Sequence, residues 1–119
     1  MAIADTFLAQ IRERFAPFGP ITTRKMFGGA AVYSNGLLFA IADDGMLFLK
    51  VSDTTRPAFA ALDLEPFSYP NGETVTVSKN YFRAPEDVWT DDSVLNEWAD
   101  RALVAARELE ATKPPKKKK

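Results

Sequence analysis

The segment RKMFGGAAVYSNGLLFAIADDGMLFLKV, residues 24–51, decides the fold. It holds two hairpin signals, Asn35-Gly36 and Asp44-Gly45. A two-residue type I′ turn needs positive φ at both central positions, and Asn-Gly or Asp-Gly meets that need at low steric cost. Between them, residues 37–42 read as a central strand with apolar residues on both faces. Residues 46–51 read as the strand that follows. Residues 21–52 therefore predict three strands in two hairpins.

Two-residue turns fix register, and register assigns faces. With unbroken alternation, one face carries Gly29, Ala31, Tyr33, Leu38, Ala40, Ala42, Leu47, Leu49 and Val51. The other carries Met26, Ala30, Val32, Leu37, Phe39, Ile41, Met46 and Phe48, with Arg24 and Lys50 at its margin. The first face is rich in small residues and suits close helix packing. A two-layer domain covers only one sheet face. The second face is then expected to be an exposed apolar patch, the usual mark of a partner or ligand.

Working outward, residues 4–18 predict an amphipathic helix. Phe7, Leu8, Ile11, Phe15 and Phe18 recur at three- and four-residue spacing along one stripe. Pro17, Gly19 and Pro20 end it. Asp53 and Thr54 are expected caps of a short helix with Pro57 in its first turn and Phe59 and Leu62 facing inward. Residues 66–69 and 74–78 predict another hairpin around Asn71-Gly72, and residues 80–84 extend or bend its second arm. Asp91 is the expected N-cap of a last helix over 92–110, striped by Leu95, Trp98, Ala102, Ala105, Ala106 and Leu109. The predicted class is α+β: two layers, a mainly antiparallel five-stranded sheet, and the order α-β-β-β-α-β-β-α.

The length of 119 residues suits one domain, and 46% hydrophobic with 26% charged residues is ordinary for a globular chain. The expected division is a folded body over 1–110 and a disordered lysine-rich tail over 111–119. Lys113 and Lys116 to Lys119 carry five positive charges; without them ten basic face sixteen acidic residues, a net of −6. An acidic body is unlike a DNA-binding domain with a basic face. No apolar run approaches the ~18 residues of a membrane span. No basic-then-apolar leader opens the sequence, so a cytoplasmic protein without membrane contact is expected.

The chain has no histidine and no cysteine. Ser-His-Asp and Cys-His nucleophilic sites are thereby excluded, as is zinc held by His or Cys. The carboxylates show no calcium-loop pattern and no paired spacing. No catalytic, cofactor or metal residue is singled out, and a non-enzyme is expected. Gly28-Gly29 lacks the further glycines and following helix of a phosphate loop, so it is read as a bend, bulge or close-packing site. Arg24, Lys25, Lys50, Arg56, Lys79 and Arg83 are candidates for an anion site, with Arg24 the strongest. Cations beside Tyr81 and Phe82 suit single-stranded nucleic acid, although Asn80-Tyr81-Phe82-Arg83 is not an RNP1 sequence.

The segment Arg24 to Ala30, then Tyr33, Gly36 to Ala40, Leu47 to Val51 and Thr55-Arg56-Pro57, resembles the N-terminal domain of the TfoX/Sxy family. Pro66 to Tyr69, Tyr81 to Glu86 and the Trp98-Ala99 helix extend the resemblance over roughly residues 7–108. The resemblance implies a fold like that of the type III secretion chaperones, and a link to regulators that promote transcription of DNA-uptake genes. It supplies no catalytic residues. The chain reads as the first domain of such regulators without their helical second domain. The expected function is a non-enzymatic regulatory or adaptor domain acting through protein contacts, its partner a second copy or a regulatory protein. The expected interaction residues are Arg24, Met26, Phe39, Ile41, Phe48, Lys50 and Arg83. The alternative is nucleic-acid binding through Arg24, Lys50, Arg83 and the lysine tail.

Overall fold

The chain alternates helices and hairpins in an order that lays every helix against one face of a single sheet. The computed structural model describes residues 5–26, 29–43 and 45–112, with backbone only at residues 5, 26, 69–71, 79 and 112. The tail over 113–119 lies outside the described residues. The elements are α1 (Asp5–Phe15), β1 (Thr22–Met26), β2 (Gly29–Ser34), β3 (Leu37–Asp43), β4 (Met46–Lys50), α2 (Arg56–Ala61), β5 (Pro66–Asn71), β6 (Thr74–Arg83), a 3-10 turn (Glu86–Trp89) and α3 (Asp92–Thr112). The sheet is antiparallel, with strand order β1-β2-β3-β4-β6-β5.

The α+β class and antiparallel sheet agree with the sequence expectation, but the sheet has six strands rather than five. The additional strand is β1, which turns back on β2 so that Met26 pairs with Gly29. Its sequence, TTRKM, is mostly polar and gives no apolar alternation. That composition suits an edge strand, where charge discourages pairing with other chains. Gly29 is needed where β2 meets β3: a Cβ there would lie 2.5 Å from the Ala42 carbonyl oxygen. The expected close-packing role of the Gly-Gly pair is thus met at Gly29 by a strand; Gly28 lies outside the described residues.

The Asn35-Gly36 turn forms as expected, with φ of 52° and 78° and Ser34 paired with Leu37. Gly45 has φ 75° in the next turn, and Asp43 pairs with Met46. Asn71 pairs with Thr74, so the third turn sits at 72–73, one residue later than expected.

The helices share one core with the sheet. Leu8, Ile11 and Phe15 of α1 are buried there, as are Phe59 of α2 and Leu95, Trp98 and Ala102 of α3. Aromatic edges knit the layers: Phe59 lies 4.8 Å from Trp98 and Phe15 lies 5.9 Å from Phe39, both edge-on. Each fully buried Phe contributes roughly 2–3 kcal/mol by removal from water.

Asp91 caps α3 as expected, its carboxylate accepting from the N–H groups of Ser93 (2.9 Å) and Val94 (3.3 Å). These bonds, with that from the Ser93 hydroxyl, hold its carboxyl below the usual range. The expected caps of α2 are not used. Its N-cap is Thr55, without a side-chain cap bond. Asp53 instead pairs with Arg56 at 2.6 Å, and Thr54 donates to Glu108. Leu62 is 53% exposed rather than inward, because α2 ends at Ala61 and a left-handed Asp63 (φ 59°) turns the chain so that Leu64 packs on the core.

Candidate interaction site

The sheet's second face begins with a register change. Val32 pairs with Ala40 but Tyr33 pairs with Leu38, leaving Phe39 as an extra residue in β3. This bulge places Phe39 and Ala40 together in the helix-side core. Phe39 is fully buried against Phe15 and Phe18. It is therefore a core residue, not the interaction residue expected from unbroken alternation. The same slip reverses the predicted faces of β2 and of the start of β3. Ala30 and Val32 meet the helices and Ala31 pairs with Ile41 on the other side, whereas Ala42, Leu47 and Leu49 lie on the helix side as expected.

Beyond the bulge, register aligns one row across five strands. Arg24 pairs with Ala31, Ala31 with Ile41, Ile41 with Phe48, and Phe48 with Arg83. At ~4.8 Å per strand the two arginine Cα positions stand about 19 Å apart. Between them lies an apolar strip. A second row sets Lys50 opposite Tyr81, with the lysine Nζ 5.5 Å from the ring centroid. Among the described residues, the buried hydrophobic cluster that contains all three helices excludes Ala31, Ile41 and Phe48.

This face is less open than the sequence suggests. Ala31 is fully buried and Phe48 only 5% exposed, while Tyr33, Leu38 and Ile41 are half-buried. Phe67 from β5 covers Phe48 edge-on, with ring centroids 4.9 Å apart. Burial pushes the Tyr81 phenol up to about 12, with a smaller contribution from the nearby Tyr33. The large exposed apolar side chains lie elsewhere, at Leu62, Val75, Val77 and Val104.

Of the expected site residues, Arg24, Ile41, Phe48, Lys50 and Arg83 do share the face. Arg24 is exposed; Arg83 is 40% exposed and stands 3.7 Å from the Glu86 carboxylate. Met26 holds the register position opposite Gly29, and its side chain lies outside the described residues. The sequence reading missed the contribution of Phe67, and it read Tyr33 and Leu38 onto the helix face. The placement of Tyr33 and Leu38 depends on the bulge, which has no local sequence signal, and that of Phe67 on the long-range pairing of β6 with β4, which the turn signal of the β5–β6 hairpin does not reveal.

Elsewhere polar side chains are committed to the fold. A groove of about 440 Å³ is lined by Phe7, Gln10, Glu13, Arg14, Gly45 and Trp89, and none of the expected site residues borders it. Its Arg14 is spent on structure, donating to the Val88 carbonyl and the Asp92 carboxylate at 2.7 Å each. Glu108 accepts from the hydroxyls of Ser52 and Thr54 at 2.5 Å each, which lowers its pKa and ties α3 to the segment after β4. Among the described residues no group of three or more acidic side chains is placed to hold a metal ion. No described helix is long and apolar enough to cross a membrane.

Fold and face together define a two-layer α+β domain with helices on one side of an antiparallel sheet and an apolar strip bounded by arginines on the other. The chain belongs to the TfoX N-terminal domain family, whose profile matches residues 13–106. It is similar to the DNA transformation protein TfoX1 of Aliivibrio fischeri (strain ATCC 700601 / ES114), at 27% identity over 90 residues. The match covers 72% of this chain and 43% of that relative.

Proposed function

We propose that this domain is a non-enzymatic, cytoplasmic regulatory module that works through protein contacts on its helix-free sheet face, in the control of DNA-uptake genes. The observation that carries the reading is the helix-free face on which Arg24 and Arg83 end one row, with Ile41 half-buried between them, Tyr33 and Leu38 half-buried beside it, and Ala31 and Phe48 buried as its floor. A partly exposed apolar centre with cationic ends is the layout of a protein-binding patch, in which apolar anchors supply affinity and rim charges guide encounter. Family membership supports the regulatory part, and the name of the A. fischeri relative supports the link to transformation.

The test is capture of partners from a cell extract by the intact domain, compared with Ile41→Asp and Arg24→Ala. Ile41 is half-buried at the middle of the row, so a carboxylate there is partly desolvated, and circular dichroism of Ile41→Asp checks that the fold is retained before capture is compared. The expected result is recovery of a transcription component by the unaltered domain and its loss with Ile41→Asp. Equal recovery by both would refute use of this face.

A second reading has its own support. Arg24, Lys50 and Arg83 share the face with Tyr81, and cations interleaved with aromatic rings can track a single-stranded nucleic acid. The acidic body opposes it. This reading expects oligonucleotide affinity that falls steeply with salt and that survives removal of residues 113–119. Absence of binding at low salt eliminates it.

A further inference from the structure

The β5–β6 hairpin extends past the body of the sheet. β4 pairs only with Tyr81, Phe82 and Arg83 of β6. The Val51 N–H then donates to the Asn80 carbonyl at 2.7 Å, and the chain leaves for α2. From Thr74 to Val77, among the described residues, β6 is paired with β5 on one side and with no strand on the other. This arm carries the two most exposed large apolar side chains described, Val75 at 66% and Val77 at 55%.

Backbone direction follows from the turn. In a hairpin with a two-residue loop the closing pair is hydrogen-bonded, and bonded and non-bonded pairs alternate from there. Asn71 and Thr74 close this one, so Tyr69 and Thr76 form the next bonded pair. Pro70 opposite Val75 fits the scheme, since proline has no N–H to donate. The N–H and C=O groups of Val75 and Val77 therefore point away from β5, towards the open edge.

The edge sequence reads Thr74-Val75-Thr76-Val77-Ser78. It is nearly palindromic about Thr76. Laid antiparallel against itself with Thr76 on the two-fold axis, it sets Val75 opposite Val77 and Thr74 opposite Ser78 of the other copy. Both Val75–Val77 pairs are then of the bonded kind and exchange about four N–H···O=C bonds. The four valines meet on one face, as cross-strand pairs of β-branched side chains. β-Branched residues at every position from 74 to 77 favour an extended strand, and no charge interrupts that run.

We propose that two copies of this chain associate through antiparallel pairing of the β6 edge over residues 74–78, joining their sheets across a two-fold axis at Thr76. The occupant is a second copy because the edge is complementary to itself in sequence, hydrogen bonding and apolar contact, and its two exposed valines meet the same two valines of the other copy. This surface is separate from the helix-free sheet face and does not depend on the function proposed for it.

Sedimentation equilibrium across a concentration series is the test. The mass is expected to rise from 13.2 kDa towards twice that value. The double substitution Val75→Lys and Val77→Lys is expected to weaken association roughly tenfold or more while leaving circular dichroism unchanged, since both side chains are exposed. Because the chain has no cysteine, single introduced thiols report register directly. Thr76→Cys meets itself across a non-bonded pair with Cα atoms about 4.5 Å apart, within disulfide range, and is expected to cross-link on mild oxidation. Thr74→Cys faces Ser78 and is expected not to. A monomer at every concentration up to about 1 mM, the weak end of specific association, would overturn the proposal. So would a dimer indifferent to the lysine substitutions, or cross-linking of Thr74→Cys as efficient as that of Thr76→Cys.

Discussion

Replacing Phe39 and Ile41 in turn by alanine tests whether the β3 bulge sets the two faces of the sheet. Phe39 is fully buried, with Phe15 and Phe18 rings 5.9 and 6.4 Å away. Truncating such a residue removes its transfer free energy and leaves a cavity, at a cost of about 3–5 kcal/mol. Ile41, two residues on, is half-buried on the helix-free face. Its truncation forfeits about half the 1.5–3 kcal/mol of a fully buried aliphatic side chain, or about 1 kcal/mol. Against a total stability of ~5–15 kcal/mol, the first is a large fraction and the second a small one. Urea unfolding followed by tryptophan fluorescence reads both, since Trp98 lies in the core at 6% exposure. For a chain of this size the Phe39→Ala loss corresponds to a fall in Tm of roughly 10–20 °C. With unbroken alternation the two residues would share the helix-free face and their truncations would cost similar, small amounts. A Phe39→Ala cost no greater than that of Ile41→Ala would refute the bulge and the face assignment resting on it.

Gly29→Ala places a methyl 2.5 Å from the Ala42 carbonyl, where backbone must move, and is expected to cost about 1–3 kcal/mol in the same assay; an unchanged midpoint would show that β2 and β3 are further apart. Tyr81 keeps its proton to about pH 12, whereas an unfolded tyrosine releases it near 10. Between these values the unfolded chain binds fewer protons, so stability falls as pH rises, by up to about 2–3 kcal/mol. Tyr81→Phe is expected to remove that part of the alkaline loss, and phenolate absorbance should show one tyrosine fewer titrating late. Arg14→Ala leaves the Val88 carbonyl without its charged donor and is expected to cost about 2 kcal/mol by urea unfolding. Arg14→Lys is not expected to restore it, since a lysine cannot span Val88 and Asp92 with the guanidinium's fixed fork.

Features set by local chemistry were legible in the sequence. The Asn35-Gly36 turn, the Asp91 cap and the buried stripes of α1 and α3 each depend on a few neighbouring residues, and each is found where expected. β1 was not legible as a separate strand, because an edge strand with sequence TTRKM has no apolar face to declare it. Most consequential was the bulge. Leu37, Phe39, Ile41 and Leu38, Ala40, Ala42 are apolar on both parities, so alternation cannot reveal an inserted residue. Phe39 turns inward to pack against Phe15 at the end of α1 and Phe18 in the turn that follows, contacts far away in sequence. Arg24, Ile41, Phe48, Lys50 and Arg83 were accordingly placed on one face as the sequence suggests, whereas Phe39 lies on the other and Phe48 is only 5% exposed.

The bulge does more than remove Phe39 from that site. β1 and β2 reach the rest of the sheet only through the pairing of β2 with β3. Without the extra residue, Ala31 would stand opposite Ala40, and through it Leu49 and Phe82, which face the helices. Arg24, paired with Ala31, would then point at α1 while Arg83 pointed away, and no row would carry both. With the extra residue, Ala31 meets Ile41, and the two arginines end one strip on the side the helices leave clear. A single inserted residue therefore couples the packing of α1 to the charge layout of the opposite face. Substitutions that straighten β3 should disturb both at once, although Phe39 itself packs on the helix side, against Phe15 and Phe18.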